Sequence, residues 1–235
     1  MNALPALQTV YYDGWVLRFA DGYTRRSNSV NPVYPSLLDI DEKIEYCERL
    51  YRSRGLKVIF KLTDAVYPEN LDVILEQKKY EIETPVSIQI LDLNWMTVRP
   101  DIAIIRTEKW SENWQREFFR ISNLDSCHFP KLREMLSGII PRKCFFSIVR
   151  DGSVATCGLA VMEREYVGLF DIVTDPIFRR QGLGARISLD MLEWGKELGA
   201  SKAYLQVMVD NKPAIKLYEK IGFAEVYKYW YRVKD

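Results

Sequence analysis

The 235-residue chain is 48% hydrophobic and 28% charged, which supplies a core for one large domain or two small ones and excludes a disordered chain. Its 33 lysines and arginines against 32 acids leave a net charge of +1, so neither nucleic acid nor an anionic membrane is expected as the main partner. The sequence shows no signal-type leader and no apolar run of membrane-spanning length, and a soluble cytoplasmic protein is expected.

In chain order, residues 14–20 alternate as a strand, Asp21-Gly22 signals a hairpin turn, and residues 23–30 are expected to return as its second strand. Residues 31–36 are too proline-rich for a regular element. A charged helical run, 39–54, stops at Gly55. Residues 56–62 read as a short buried strand, 69–79 as a helix, and 80–91 as a long strand interrupted near Pro85. A boundary between halves is expected within 92–100, dividing the chain into 1–95 and 96–235.

Beyond it, 102–106 reads as a strand and 111–121 as a helix with Ser111 at its N-cap. Trp110, Trp114 and Phe118 share one face of that helix, a pattern that reads as core, with the wall of an acceptor slot as the other reading. A short helix, 131–138, precedes strands 144–150, 154–162 and 167–174, joined by Asp151-Gly152 and by the polar turn Glu163-Arg164-Glu165. The cysteines form no C-x-x-C pair, so no disulfide framework is expected. Cys127-His128 has no second ligand cluster at metal spacing, so no metal is expected either.

The strand 167–174 ends at the breaker pair Asp175-Pro176, and a helix, 183–198, begins after Arg179-Arg180-Gln181-Gly182-Leu183-Gly184. Two glycines at the mouth of a helix allow close backbone approach and leave first-turn amides unpaired. Arg179, Arg180 and Arg186 add positive charge, so the expected ligand is a phosphate or pyrophosphate. No Lys-Ser/Thr follows the glycines and no third glycine completes G-x-G-x-x-G, which sets aside a Walker loop and a dinucleotide fingerprint. Residues 204–209 read as a strand, Asp210-Asn211-Lys212-Pro213 as a cap, 214–221 as a helix closed by Gly222, and 223–232 as a last strand.

The pattern Arg179-x-x-Gly182-x-Gly184 resembles the pyrophosphate loop of the Gcn5-related N-acetyltransferases, the GNAT family. Asn211, Ala214, Leu217, Tyr218, Gly222 and Phe223 resemble that family's N-x-x-A-x-x-L-Y-x-x-x-G-F segment. The resemblance implies an α+β fold with a mixed, mostly antiparallel sheet flanked by helices. It also implies acetyl-CoA as co-substrate, with no metal, and transfer of its acetyl group to the primary amine of a small molecule or peptide.

It carries roles with it. Arg179, Arg180, Gln181, Gly182, Leu183, Gly184 and Ala185 would hold the pyrophosphate, and the backbone of Ile172, Val173 and Thr174 would pair with pantetheine and polarise the thioester. Asn211 would steady the cofactor arm, and Tyr218 would serve the leaving thiolate as proton donor, a core aromatic being its other reading. The family has no universal base. Asp171 is the candidate, either as a base of raised pKa or as a structural partner of an arginine, whereas Glu163 and Glu165 read as a solvated turn.

The first half repeats part of this order. Residues 55–62 parallel 199–207, and 74–80 parallel 217–223, which resembles a tandem member whose first half is truncated. Residues 32–36 replace the glycine loop with two prolines, and Leu75 stands in the place of Tyr218, so the first half is expected to be degenerate. Two further readings stand beside the transferase: a non-catalytic acyl-CoA-binding or interaction module, and a nucleotide-phosphate enzyme, the latter disfavoured by the missing lysine and magnesium-binding hydroxyl. Edge strands at the C-terminus leave a homodimer open.

Overall fold

The computed structural model describes residues 1–94 and 104–235, so the expected 95/96 boundary and the first residues of the strand expected at 102–106 lie outside the described residues. The chain opens with β1 (Gln8–Tyr12), β2 (Trp15–Phe19) and β3 (Val30–Pro32), followed by α1 (Ile40–Arg52), β4 (Val58–Thr63), α2 (Leu71–Gln77) and β5 (Glu81–Asp92). The remainder is β6 (Ile105–Thr107), α3 (Glu112–Ser122), α4 (Phe129–Ser137), β7 (Lys143–Arg150), β8 (Ser153–Glu163), β9 (Tyr166–Thr174), α5 (Leu183–Glu197), β10 (Lys202–Met208), α6 (Lys212–Ile221) and β11 (Ala224–Lys234).

The eleven strands of the described residues join one sheet in the order β1-β2-β3-β4-β11-β5-β10-β9-β8-β7-β6. The fold is α+β, as expected, and of the described pairs β9/β10 and β3/β4 are parallel while the others are antiparallel. Its centre has a symmetric plan. The units β4-α2-β5 and β10-α6-β11 each send their last strand into the other's territory, giving β4-β11-β5-β10. Each half of the sheet is thus completed by a strand of the opposite half.

The helices cover both faces. Leu183, Ile187 and Met191 of α5 pack with Ala203, Leu205 and Val207 of β10 on one face, joined by Ala214 and Tyr218 of α6. On the other, Trp114 and Phe118 of α3 and Leu132 of α4 pack on Phe145, Leu159 and Phe170. Ile44, Tyr51, Leu71 and Leu75 of α1 and α2 cover the first-half strands with Trp15 and Phe60. Ser111 caps α3 as expected, its hydroxyl accepting the Trp114 amide at 3.1 Å.

Four expectations are corrected. The N-terminal hairpin is β1/β2, turned at Asp13-Gly14, not a hairpin at Asp21-Gly22. Residues 23–29 form no strand there because the Asn28 side chain takes the backbone: its Oδ1 accepts Ala20 and Gly22 amides at 2.8 and 3.0 Å, and its Nδ2 donates to the Thr24 carbonyl. The proline-rich stretch 31–36, expected to hold no regular element, contributes Asn31 and Pro32 to β3, whereas the interruption expected near Pro85 is present as a bulge, β5 running from Glu83 to Val86 against only Tyr231 to Tyr229 of β11. Finally, β11 offers no edge for a second copy, because β4 and β5 flank it.

Candidate active site

The site begins with a break in strand pairing. Strands β9 and β10 pair in parallel from Tyr166/Lys202 to Leu169/Leu205 and then part, so the last residues of β9 bond only to β8. At the fork β9 carries a bulge. Cys157 faces Val173 while Leu159 faces Phe170, and Asp171 adopts the left-handed φ of 51° that absorbs the extra residue. The insertion reverses the alternation of side chains. Leu169 and Ile172 both face the α5 core, and Phe170 and Val173 both face α3. Ile172, Val173 and Thr174 are left half-buried along the freed edge, where an extended chain finds unpaired backbone.

The turn after β9 is fastened before the glycines. Asp175 accepts the Ile177 amide at 3.1 Å and pairs with Arg120 of α3 at 2.5 Å, which holds its carboxyl below the usual carboxylate range. Arg179 reaches back from Nε to the Thr174 carbonyl at 3.2 Å. Arg180 and Gly182 both lie in the left-handed region, at φ 64° and 77°, and Gly182 serves as the N-cap of α5 without a side-chain cap. Among the described residues, the amides of Gly182, Leu183, Gly184 and Ala185 have no backbone acceptor; Arg186 is the first to bond back, to the Gly182 carbonyl at 3.1 Å. Four donors and the positive end of a 15-residue helix therefore converge on exposed Arg179, Arg180, Gln181 and Gly182.

Gly184 joins the pieces. A Cβ built on it would stand 3.2 Å from Leu217 Cδ1 on α6 and 3.8 Å from Thr174 Oγ1 at the end of β9. The cradle is closed by a side chain, which makes it fit a pyrophosphate approaching the amides. Asn211 caps α6, its Oδ1 accepting the Ala214 amide at 3.3 Å, so its carbonyl is engaged and its amide NH2 is the group open to a ligand. Tyr218 packs by its ring on Phe223, at a centroid distance of 5.9 Å, and its half-buried phenol is pushed up to about 12 by desolvation. It stays protonated at neutral pH, as a proton donor requires.

On the opposite face, Asp171 is pushed above its ordinary value by burial, with Arg26 drawing it back. It forms no ion pair among the described residues, which does not support the reading of a structural arginine partner. Glu163 is more than a solvated turn: it accepts a hydrogen bond from the Tyr204 hydroxyl. Trp114 and Phe118 are core rather than acceptor wall, at 2% and 6% exposure, and the Trp114 indole donates to the Phe146 carbonyl. Cys127 and His128 occupy a short 3-10 turn, and no metal-binding cluster is found among the described residues.

The structure also holds a cavity of about 460 Å³ that composition and motif did not disclose. Its walls include Tyr23 and Arg26 after β2, Gln206 and Met208 of β10, and Tyr229 and Tyr231 of β11. Gln206 and Met208 lie beyond the last β9 partner, so the cavity borders β10 where that strand has parted from β9. Arg26 is near enough to Asp171 to favour its ionised form, and Asp171 in turn disfavours ionisation of Tyr23.

Comparison with known proteins bears on the whole chain. The family model described as "Probable histone acetyltransferase Rv0428c C-terminal" matches residues 1–232. The Bacillus subtilis (strain 168) protein described as "Uncharacterized N-acetyltransferase YobR" is 30% identical over 225 residues, covering 94% of this chain and 90% of that one. Among solved structures, a GCN5-related N-acetyltransferase from Kribbella flavida superposes with TM-score 0.71 at 16% identity, over 97% of this chain and 90% of that one. A tandem GNAT protein from the clavulanic acid biosynthesis pathway superposes with TM-score 0.64 at 13% identity, over 87% and 75% of the two chains. At those identities the structures speak for the fold alone.

Proposed function

The chain belongs to the Gcn5-related N-acetyltransferase family and is an acyltransferase, and from that premise we propose that it moves the acetyl group of acetyl-CoA to the primary amine of an acceptor bound in the fork cavity. The observation that carries this reading is the open N-terminus of α5, with four unbonded amides beside the freed edge of β9. Acetyl-CoA would supply an activated thioester. The chain's residues have separate tasks in using it.

The amides of Gly182 to Ala185, with Arg179 and Arg180, bind the pyrophosphate by charge-assisted hydrogen bonds. The backbone of Ile172, Val173 and Thr174 aligns the pantetheine arm, and an amide on that edge withdraws charge from the thioester carbonyl. Tyr218 holds a proton at its phenol oxygen for the departing sulfur, and Asp171 receives one from the acceptor ammonium, directly or through water. Asn211 contributes its free amide NH2 to the arm.

We read the first half as a degenerate tandem partner. The parallel between β4-α2-β5 and β10-α6-β11 supports it, and so does Pro32-Val33-Tyr34-Pro35 where a glycine loop would stand. Its contribution is to complete the sheet and to wall the cavity with Tyr23 and Arg26. The test is release of coenzyme A thiol from acetyl-CoA across a broad amine panel. Amine-dependent release supports transfer; saturable acetyl-CoA binding with no release on any amine would identify a binding module.

A further inference from the structure

The cavity at the fork has two chemically different ends. Toward its inner end lies Asp171 of the bulge, outside the lining but within electrostatic reach of the wall residue Arg26. Its outer end is cationic. Arg25 is neutralised by Glu83 at 2.6 Å, but the Arg26 guanidinium has no carboxylate partner among the described residues. Lys61 of β4 reaches the same place, its Nζ 3.9 Å from the centroid of the Tyr229 ring and with no hydrogen bond or ion pair among the described residues. Burial and the neighbouring Arg26 and Arg18 push that amine down to about 8.

Arg18 is engaged by backbone carbonyls of Leu4 and Arg26 and carries no counter-charge either. The neutral groups at this end are donors with capacity to spare. Tyr229 donates to Gln206 Oε1 at 2.9 Å, which leaves the Gln206 amide NH2 for a ligand, and Tyr231 is 4% exposed with a buried hydroxyl that has no hydrogen-bond partner among the described residues. A buried orphan hydroxyl beside unpaired cations is costly unless an acceptor group arrives.

We infer that the acceptor is an amine that also carries an anionic group, a carboxylate or phosphate, held by Arg26 with Lys61, Gln206 and Tyr231 while its amine lies toward Asp171. This rests on the transferase reading and narrows it. Guanidinium and ammonium donors recognise oxyanions, and Arg26 supplies the planar fork that suits either of them. A lysine-rich tail would bring further positive charge to cations that already lack partners.

The test compares matched amines: phosphoethanolamine against ethanolamine, and β-alanine against β-alaninamide, with a lysine-rich peptide as the basic arm. Thiol release is measured for native protein and for Arg26→Gln and Lys61→Met. Arg26 is half-buried in a short 3-10 turn and belongs to no hydrophobic cluster, so its replacement leaves the core intact. The anionic member of a pair is expected to have a KM about tenfold or more below its neutral counterpart, and Arg26→Gln to raise that KM by a similar factor, so that the preference for the anionic member over the neutral one is lost. Comparing the two pairs decides between phosphate and carboxylate.

Calorimetric binding of the same amines to native and Arg26→Gln protein separates the two proposals. Anionic amines bound by native protein alone, without acetyl-CoA turnover, would support the anion site and sink the transferase. Turnover with neutral amines or the basic peptide equal to or better than with anionic ones, or indifference to Arg26→Gln, would overturn the anion site and leave the transferase standing. If no anionic amine binds or reacts, the inference is wrong.

Discussion

Gly158 lies so close to Ile172 that a Cβ on the glycine would stand 3.2 Å from Ile172 Cγ1. The glycine faces the bulge across β8/β9, between the pairs Cys157/Val173 and Leu159/Phe170. The missing side chain leaves room for Ile172 of the freed edge and for Met191 of α5, whose Sδ would stand 2.9 Å from the added Cβ. Gly158→Val is expected to cost about 1–3 kcal/mol in urea unfolding by overpacking, and to weaken acetyl-CoA binding in calorimetry. Unchanged affinity in a folded Gly158→Val protein would separate the bulge from the cofactor.

Asp171→Asn keeps the left-handed backbone, which asparagine tolerates, and removes the ionisable group. Because the folded carboxyl sits above its unfolded value of about 3.9, ionisation works against the fold. The sign follows: this contribution is most favourable below the unfolded value, is lost as pH rises to the folded one, and stays lost above it. The variant should therefore be at least as stable as native at pH 7 in urea unfolding. Its kcat/KM should fall about 10²-fold or more if the carboxylate is the base. A destabilised variant with full activity would assign Asp171 to structure.

Tyr218→Phe removes a phenol that makes no hydrogen bond among the described residues, so thermal stability should hold. A drop in kcat of about 10²-fold, with acetyl-CoA affinity unchanged, is expected in thiol-release kinetics. With the phenol near 12, no alkaline limb from this group should appear in native protein below about pH 10. Equal kcat in the variant would return Tyr218 to the core.

Arg106 fastens β6 to α5 by a two-pronged pair with Asp190, at 2.8 and 2.6 Å, and Asp190 is only 3% exposed. Arg106→Ala strands that carboxylate and should cost about 2–4 kcal/mol, discounted because the arginine is partly in water. Arg142→Ala, which breaks an exposed pair with Glu108, should cost markedly less. Comparable losses from the two in denaturant unfolding would contradict the difference in burial.

The exchange of β5 and β11 predicts one cooperative transition for the whole chain, because removing β11 deprives β4 and β5 of a shared neighbour. Residues 1–94 expressed alone should lack stable structure by circular dichroism and amide exchange. Two resolved transitions in the full chain would argue against mutual completion.

The glycine loop and the α6 segment were legible because their signals are local: Gly182 needs a positive φ, Asn211 and Ser111 cap their helices, and Gly222 ends α6 at φ 110°. What escaped reading depends on distant partners. Asp13-Gly14 and Asp21-Gly22 are the same dipeptide, and which one turns a hairpin is decided by β1 beside β2 and by Asn28 capturing the second turn. Strand exchange leaves no mark in either strand. The cavity unites residues near 23, 86, 206 and 229, and no sequence window contains them.

The most direct test is calorimetric titration of acetyl-CoA into native protein and Gly184→Leu, with thermal melting to show that the variant folds. The substituted side chain would fill the gap between Leu217 and Thr174, where the amides converge. Saturable one-to-one binding to native protein, lost in a folded variant, is the expected result. No binding to native protein, or equal binding to both, would contradict the assignment of the cofactor to the α5 N-terminus.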